Sequence, residues 1–397
     1  MPRLPSALPR VVVAILLFAQ AGELHAQRRS RDESCRCLNL SVNNTGIHIG
    51  DSRGVTGLRL NYRDSRLDKV NGVNATIWTP YEDGGGIVNG VAIGLPATGA
   101  REINGVAIGI FGAGADDRIR GIGIAPIGLG AGGDVRGIMF GGIGAGAGGN
   151  LTGIGAGGIG LGAGGNVRGV WAGGVGVGAG GNGSGILLGG IGAGVGGSFT
   201  GLSAGGIGAG VGGDGEGIFI GGVGAGVGGS GRGALLGGVG VGVGGRATGL
   251  LAGGVGAGVG GDFTGVGLGG VGLGIGGDAR GILVGGVGAG VGGTMRGIAL
   301  GGIGVGASRI EGIAIGGVGV GGADLHGGFL GPWVRVEGGE MRGVSIAGFN
   351  QLKGHQTGLA IGVINYARSL HGVQLGVINI VRDNPGGRKV LPVVNWN

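Results

Sequence analysis

From Gly137 onward, ten consecutive blocks of 16 residues begin at Gly137, Gly153, Gly169, Gly185, Gly201, Gly217, Gly233, Gly249, Gly265 and Gly281. Each reads G-[apolar]-x-x-G-G-[IV]-G-x-G-x-G-G-x-x-x, with glycine in seven of the sixteen columns of every copy. The same frame continues with looser spacing through Gly57, Gly72, Gly90, Gly105 and Gly121 on one side. On the other it passes through Gly297, Gly312, Gly327, Gly343, Gly358 and Gly372. Self-similarity at a short fixed period is the mark of a repeat architecture, in which each unit buries its apolar face only against its neighbours. The chain is therefore about twenty copies of one small unit.

Composition excludes the familiar glycine-rich folds. Of 397 residues 122 are glycine, yet only 9 are proline and no G-X-Y triplet persists, so a collagen helix is ruled out. Charged residues are 12% and apolar ones 42%, which is not the profile of a disordered chain. A glycine-zipper helix is disfavoured because each interior glycine costs about 1 kcal/mol relative to alanine.

Within a unit the apolar residues fall at columns 2 and 4 and again at 7, 9 and 11, as in Ile186 and Leu188, then Ile191, Ala193 and Val195. Period two means strands. The spacing predicts columns 2 and 4 inside, a one-residue phase shift at the Gly-Gly of columns 5 and 6, and then columns 7, 9 and 11 inside. On that reading Ile191, Ile207, Val223 and Val239 form a buried ladder. Nine charges occur between residues 137 and 296, all in column 14 or 16, so one corner of each unit faces water.

Two all-β architectures accommodate such units. One is a parallel β-solenoid of about twenty coils of roughly 16 residues, stacked ~4.8 Å apart. The other is an antiparallel outer-membrane barrel with one strand per unit. A barrel wants aromatic girdles and two kinds of turn, whereas aromatic residues are 4% of the chain and column 16 shows no alternation, so the solenoid is favoured.

Column 3, set to point outward, holds Trp171, Leu187, Phe219, Leu235, Leu251 and Leu283, with Met139 before them. An apolar row on the outside marks an interaction stripe for self-association or for a membrane surface. The alternative is that this face is covered from within the chain.

The segmentation follows. Residues 1–26 carry Arg3, Arg10, an apolar run from Val11 to Ala19 and small residues suited to cleavage after Ala21 or Ala26, a secretory signal peptide. Residues 27–37 are a linker with Cys35 and Cys37, a possible disulfide in an exported chain. Residues 38–120 are irregular repeats and an N-terminal cap, 121–311 the regular repeats, and 312–397 divergent repeats and a C-terminal cap. The formal charge is +7, or +6 once residues 1–26 are removed with Arg3, Arg10 and Glu23. No basic stripe with interleaved aromatics accompanies it, so no nucleic acid is expected.

Three C-terminal units place Asn350, Asn365 and Asn379 in one column, where stacked amides can form a hydrogen-bonded ladder. The segments GLAIGVIN (358–365) and GVQLGVIN (372–379), followed by RDNP (382–385) and VLPVVN (390–395), resemble the ends of bacterial secreted surface-repeat proteins built from G-[LV]-x-[IL]-G-[LV]-[IF]-N units. The resemblance covers roughly the last 40 residues. It implies an exported envelope protein at the cell surface, outer membrane or periplasm, and no known activity.

Catalytic chemistry is not written in the motifs. The G-x-G-x-x-G pattern at Gly176, Gly178 and Gly181 recurs with the repeat and lacks a following helix. His48, His326, His355 and His371 lack metal spacing, and no G-x-S-x-G elbow occurs. Only Arg335, Glu337, Glu340 and Arg342 group charges closely enough for a carbohydrate-active β-helix. The expectation is a non-enzymatic structural or adhesive protein without cofactor or metal.

Overall fold

The computed structural model describes residues 37–81 and 85–397. The signal segment, the linker up to residue 36 and Cys35 lie outside the described residues. Nearly everything described is strand in a single sheet system, and no α-helix occurs among the described residues. Each regular coil contributes a seven-residue strand and a four-residue strand, as in Gly183–Gly189 and Gly192–Val195. Each strand pairs in parallel with its counterpart one coil on: Gly185 opposes Gly201, Leu187 opposes Ser203, and Gly192 opposes Gly208. The fold is a parallel β-solenoid. Consecutive units run parallel around a filled interior, which overturns the alternative of an antiparallel barrel.

The frame glycine at column 1 makes this stacking possible. Gly185 has φ of +111°, a region closed to residues with a Cβ. A Cβ there would sit 2.1 Å from the carbonyl oxygen of Gly169, the equivalent residue one coil earlier. The same contact recurs from Gly57 on Gly46 through to Gly372 on Gly358, so a single column of glycine runs the length of the stack.

The interior corrects the expected phase. The buried positions keep odd parity on both sides of the glycine pair of columns 5 and 6, at columns 3 and 5 before it and 9 and 11 after it, so no net phase shift occurs. Columns 15, 3, 9 and 11 supply the core side chains, as in Phe199, Leu187, Ala193 and Val195. Columns 2 and 4, expected inside, point outward: Ile186 is half-buried and Leu188 exposed. Column 7 stands at the corner after the glycine pair. Its members do stack, Ile207 N–H on Ile191 O at 2.7 Å and Val223 N–H on Ile207 O at 2.8 Å. They are not buried, however, since Ile191, Ile207, Val223 and Val239 are 48–54% exposed.

Core residues interlock by size. Trp171 in column 3 extends its ring over Gly155 of the preceding coil, where a Cβ would lie 2.4 Å from it. Phe199 in column 15 likewise fills the space beside Gly183, and its ring meets that of Phe219 edge-on at 5.8 Å between centroids.

Column 14 explains the turn chemistry. The side-chain oxygen of Asp134 accepts the backbone N–H of Asn150 at 2.8 Å, Asn150 that of Asn166 at 2.8 Å, Asn166 that of Asn182 at 2.7 Å, and Asn182 that of Ser198 at 2.8 Å. Each turn is thus held by the turn before it. Arg246 occupies this column without an acceptor oxygen and instead reaches Asp262 at 3.4 Å. Replacing Arg246 with Asn should restore the missing acceptor for the Asp262 N–H and raise stability by about 0.5–1.5 kcal/mol. Chemical denaturation checks this; an unchanged midpoint would show that the ladder adds nothing at this turn.

Both ends are closed by antiparallel strands. Leu38–Val42 folds back on Thr45–Ile49 through Asn43 and Asn44, whose φ angles of 50° and 60° suit a two-residue hairpin. At the other end Val390–Trp396 runs antiparallel along the last coil, with Val373 opposite Trp396.

Candidate interaction surface

Trp171, Leu187, Phe219, Leu235 and Leu283 are fully buried and Leu251 is 1% exposed, so the column expected to be an outer interaction stripe is the core. The physical reason is that the buried parity does not shift at the glycine pair, so column 3 shares the inside with columns 9 and 11. Columns 2, 3 and 4 are all apolar, and the apolar pattern carries no mark of which side is inside.

The real outer apolar surface is the set of even columns 2 and 4 with the column 7 corner. It includes Ile154, Leu188, Ile218 and Ile220 from the strand face and Ile159, Ile191 and Ile207 from the corner, all exposed. The exposed apolar set recurs toward both ends, from Ile93 and Ile108 to Val344 and Ile346. Where column 4 shrinks to Ala156, Ala172 and Ala204, a shallow groove of about 850 Å³ runs along the corner between Phe140 and Ile220, floored by the glycines of columns 5 and 6. Soluble monomers seldom expose a contiguous apolar patch beyond a few hundred Å². The signal for this surface is the apolar identity of columns 2 and 4, which the expected phase shift places on the wrong side.

The opposite turn edge is polar. A groove of about 410 Å³ there is lined by Asp214, Glu216, Arg232 and Arg246. Its charges pair along the stack, Arg232 with Glu216 at 3.8 Å and Arg246 with Asp262 at 3.4 Å.

The interior turns polar at both ends, in column 3 at the N-terminal end and eight residues into each unit at the C-terminal end. At the N-terminal end Arg59 is fully buried, bound through Nη2 to Asp51 at 2.8 Å, through Nη1 to Asn74 Oδ1 at 2.8 Å and to Asp64, and through Nε to the Ser52 carbonyl at 2.9 Å. Burial alone would push the Asp64 carboxyl up, but Arg59, Asn61 and Asn74 together hold it below the usual carboxylate range. At the C-terminal end Asn350, Asn365 and Asn379 are fully buried. Asn350 Nδ2 donates to Asn365 Oδ1 at 2.7 Å, and Asn365 Nδ2 to Asn379 Oδ1 at 2.7 Å.

The charged group of residues 335–342 resolves into ion pairs. Arg335 meets Glu337 at 2.9 Å and Arg342 meets Glu340 at 3.3 Å. The Thr357 hydroxyl above all, with Arg342 and His326, holds the Glu340 carboxyl below its ordinary range against the opposing effect of burial. A general acid needs the opposite shift. Among the described residues no three His, Cys, Asp or Glu side chains are grouped to hold a metal ion.

No protein-family model, no curated protein and no solved structure matches the chain.

Proposed function

We propose that the protein is a non-enzymatic structural or adhesive element, exported to the bacterial cell envelope and attached there to a membrane surface through its outer columns 2 and 4. The observation that carries this reading is the exposed apolar surface repeated coil after coil. Its cost in water is sustained only if something covers it. The ordered, ion-paired carboxylates of residues 335–342 support a role in contact over one in catalysis. The N-terminal 26 residues support export.

The reading is tested by fractionating the host envelope with the native chain and with Ile154, Leu188, Ile218 and Ile220 each replaced by Thr. These side chains are exposed, so the variant should keep its β circular dichroism and its melting temperature. The native chain is expected with the membranes, and the variant's membrane-bound share should fall at least several-fold. A native chain that stays wholly soluble, or a variant that still sediments with membranes undiminished, sinks the proposal.

A further inference from the structure

Five of the seven invariant glycine columns are demanded by the fold. A Cβ at Gly185, Gly189, Gly190, Gly196 or Gly197, representing columns 1, 5, 6, 12 and 13, would lie 1.8–2.5 Å from another atom of the chain. Columns 8 and 10 are different. They lie on the outward side of the short strands, and a Cβ at Gly194, Gly210, Gly242 or Gly258 meets nothing within 4 Å. At column 8 a Cβ meets only a carbonyl oxygen of the next coil at ordinary contact, as at Gly192 and Gly208 (3.8 and 3.7 Å). The tight places are few, such as Gly130 and Gly146 in column 10 (3.3 and 3.2 Å), and glycine weakens a strand relative to residues with a Cβ. Yet both columns remain glycine from Gly112 and Gly114 to Gly319 and Gly321. Glycine kept in a strand against its propensity marks a place where another backbone comes close.

We propose that this smooth sheet face is where a second copy of the chain docks, side by side. This goes beyond attachment through columns 2 and 4, which occupy the other strand of each coil.

Three observations select a second copy. First, the face is periodic at the coil spacing of ~4.8 Å, and only another stack of the same pitch meets it equivalently at every coil. Second, the glycine face spans about fourteen coils, or ~62 Å, and columns 7 to 11 are ~13 Å wide at strand dimensions. The product, about 800 Å² per copy, is what a stable interface requires of each partner. Third, columns 7 to 11 of these coils carry no charged residue, so no like charges oppose each other when two such faces meet.

The geometry also fixes the arrangement. The exposed Ile and Val of column 7 form a rail along one edge of the glycine face. A two-fold axis running along the stack sets the rail of each copy over the glycines of the other. An axis across the stack would set rail against rail. The two copies therefore run in the same direction, in an isologous pair.

The test replaces Gly194, Gly210, Gly242 and Gly258 with Thr in the full chain. Each new side chain enters open space on an exposed strand, so folding is retained and the melting temperature holds or rises. The expected result is a dimer of the native chain in sedimentation at micromolar concentration and at least a 100-fold weaker dimer in the variant. Spin labels at the two Asp116 positions, at one end of the glycine face, should lie much closer together in a native dimer than the ~60 Å that opposite-direction copies would give. A native chain that is monomeric at tens of micromolar, or a folded variant that dimerises as well as the native chain, overturns the proposal. The columns 2 and 4 variant should still dimerise, so failure of membrane attachment and failure of pairing are read separately.

Discussion

Replacing Trp171 with Ala should lower the unfolding free energy by about 3–5 kcal/mol, the range for deleting a buried large aromatic side chain. The ring is the largest fully buried side chain in the stack, and its Nε1 donates to the Arg168 carbonyl at 3.2 Å. Relaxation around the hole is restricted, because the coil before it offers only Gly155 in the same column. Urea denaturation measures the loss. A cost under about 1 kcal/mol would contradict the placement of column 3 in the core, since surface substitutions lie in that range. The same logic predicts that Leu187→Ser, Phe219→Ser and Leu235→Ser together unfold the central coils rather than merely weaken association.

Asp64→Ala should cost about 3 kcal/mol locally, because it leaves the buried Arg59 guanidinium short of a partner. The lower end of the usual 3–5 kcal/mol range applies, since Asp51 still holds Nη2 of Arg59. The folded Asp64 pKa lies below its unfolded value, so its contribution is fully present above the unfolded value near 4. It is lost as pH falls through the lower folded value. Hydrogen exchange of residues 51–76 should accelerate in the variant at neutral pH and in the native chain only under strong acid. Coils beyond Gly137 should stay protected, because in a stacked repeat each unit touches only its neighbours. Uniform loss of protection along the chain would argue against a separable cap.

The sixteen-residue period made the parallel stack legible, because like columns can touch like columns only if each unit is one coil. The asparagine column was legible for the same reason: Asn350, Asn365 and Asn379 hold one position in three successive units. The side facing inward was not legible. In Gly185-Ile-Leu-Leu188 both parities are equally apolar, and only the course of the backbone through Gly189 and Gly190 decides between them. The polar N-terminal core was hidden for the same reason: Arg59 and Asn74 stand two residues after the frame glycines Gly57 and Gly72, in the column of Trp171, which the expected phase placed outside.

The turn ladder of column 14 has a consequence for how such a chain changes over generations. Most coils present to the next the same kind of turn acceptor that they take from the one before, so a loss or gain of sixteen residues between Gly137 and Gly297 joins equivalent turn positions. Each such event alters the stack by one step of ~4.8 Å and leaves both closing strands intact. Length is therefore adjustable by unequal recombination in the gene, with repacking confined to places where neighbouring coils interlock by size, as at Trp171 over Gly155.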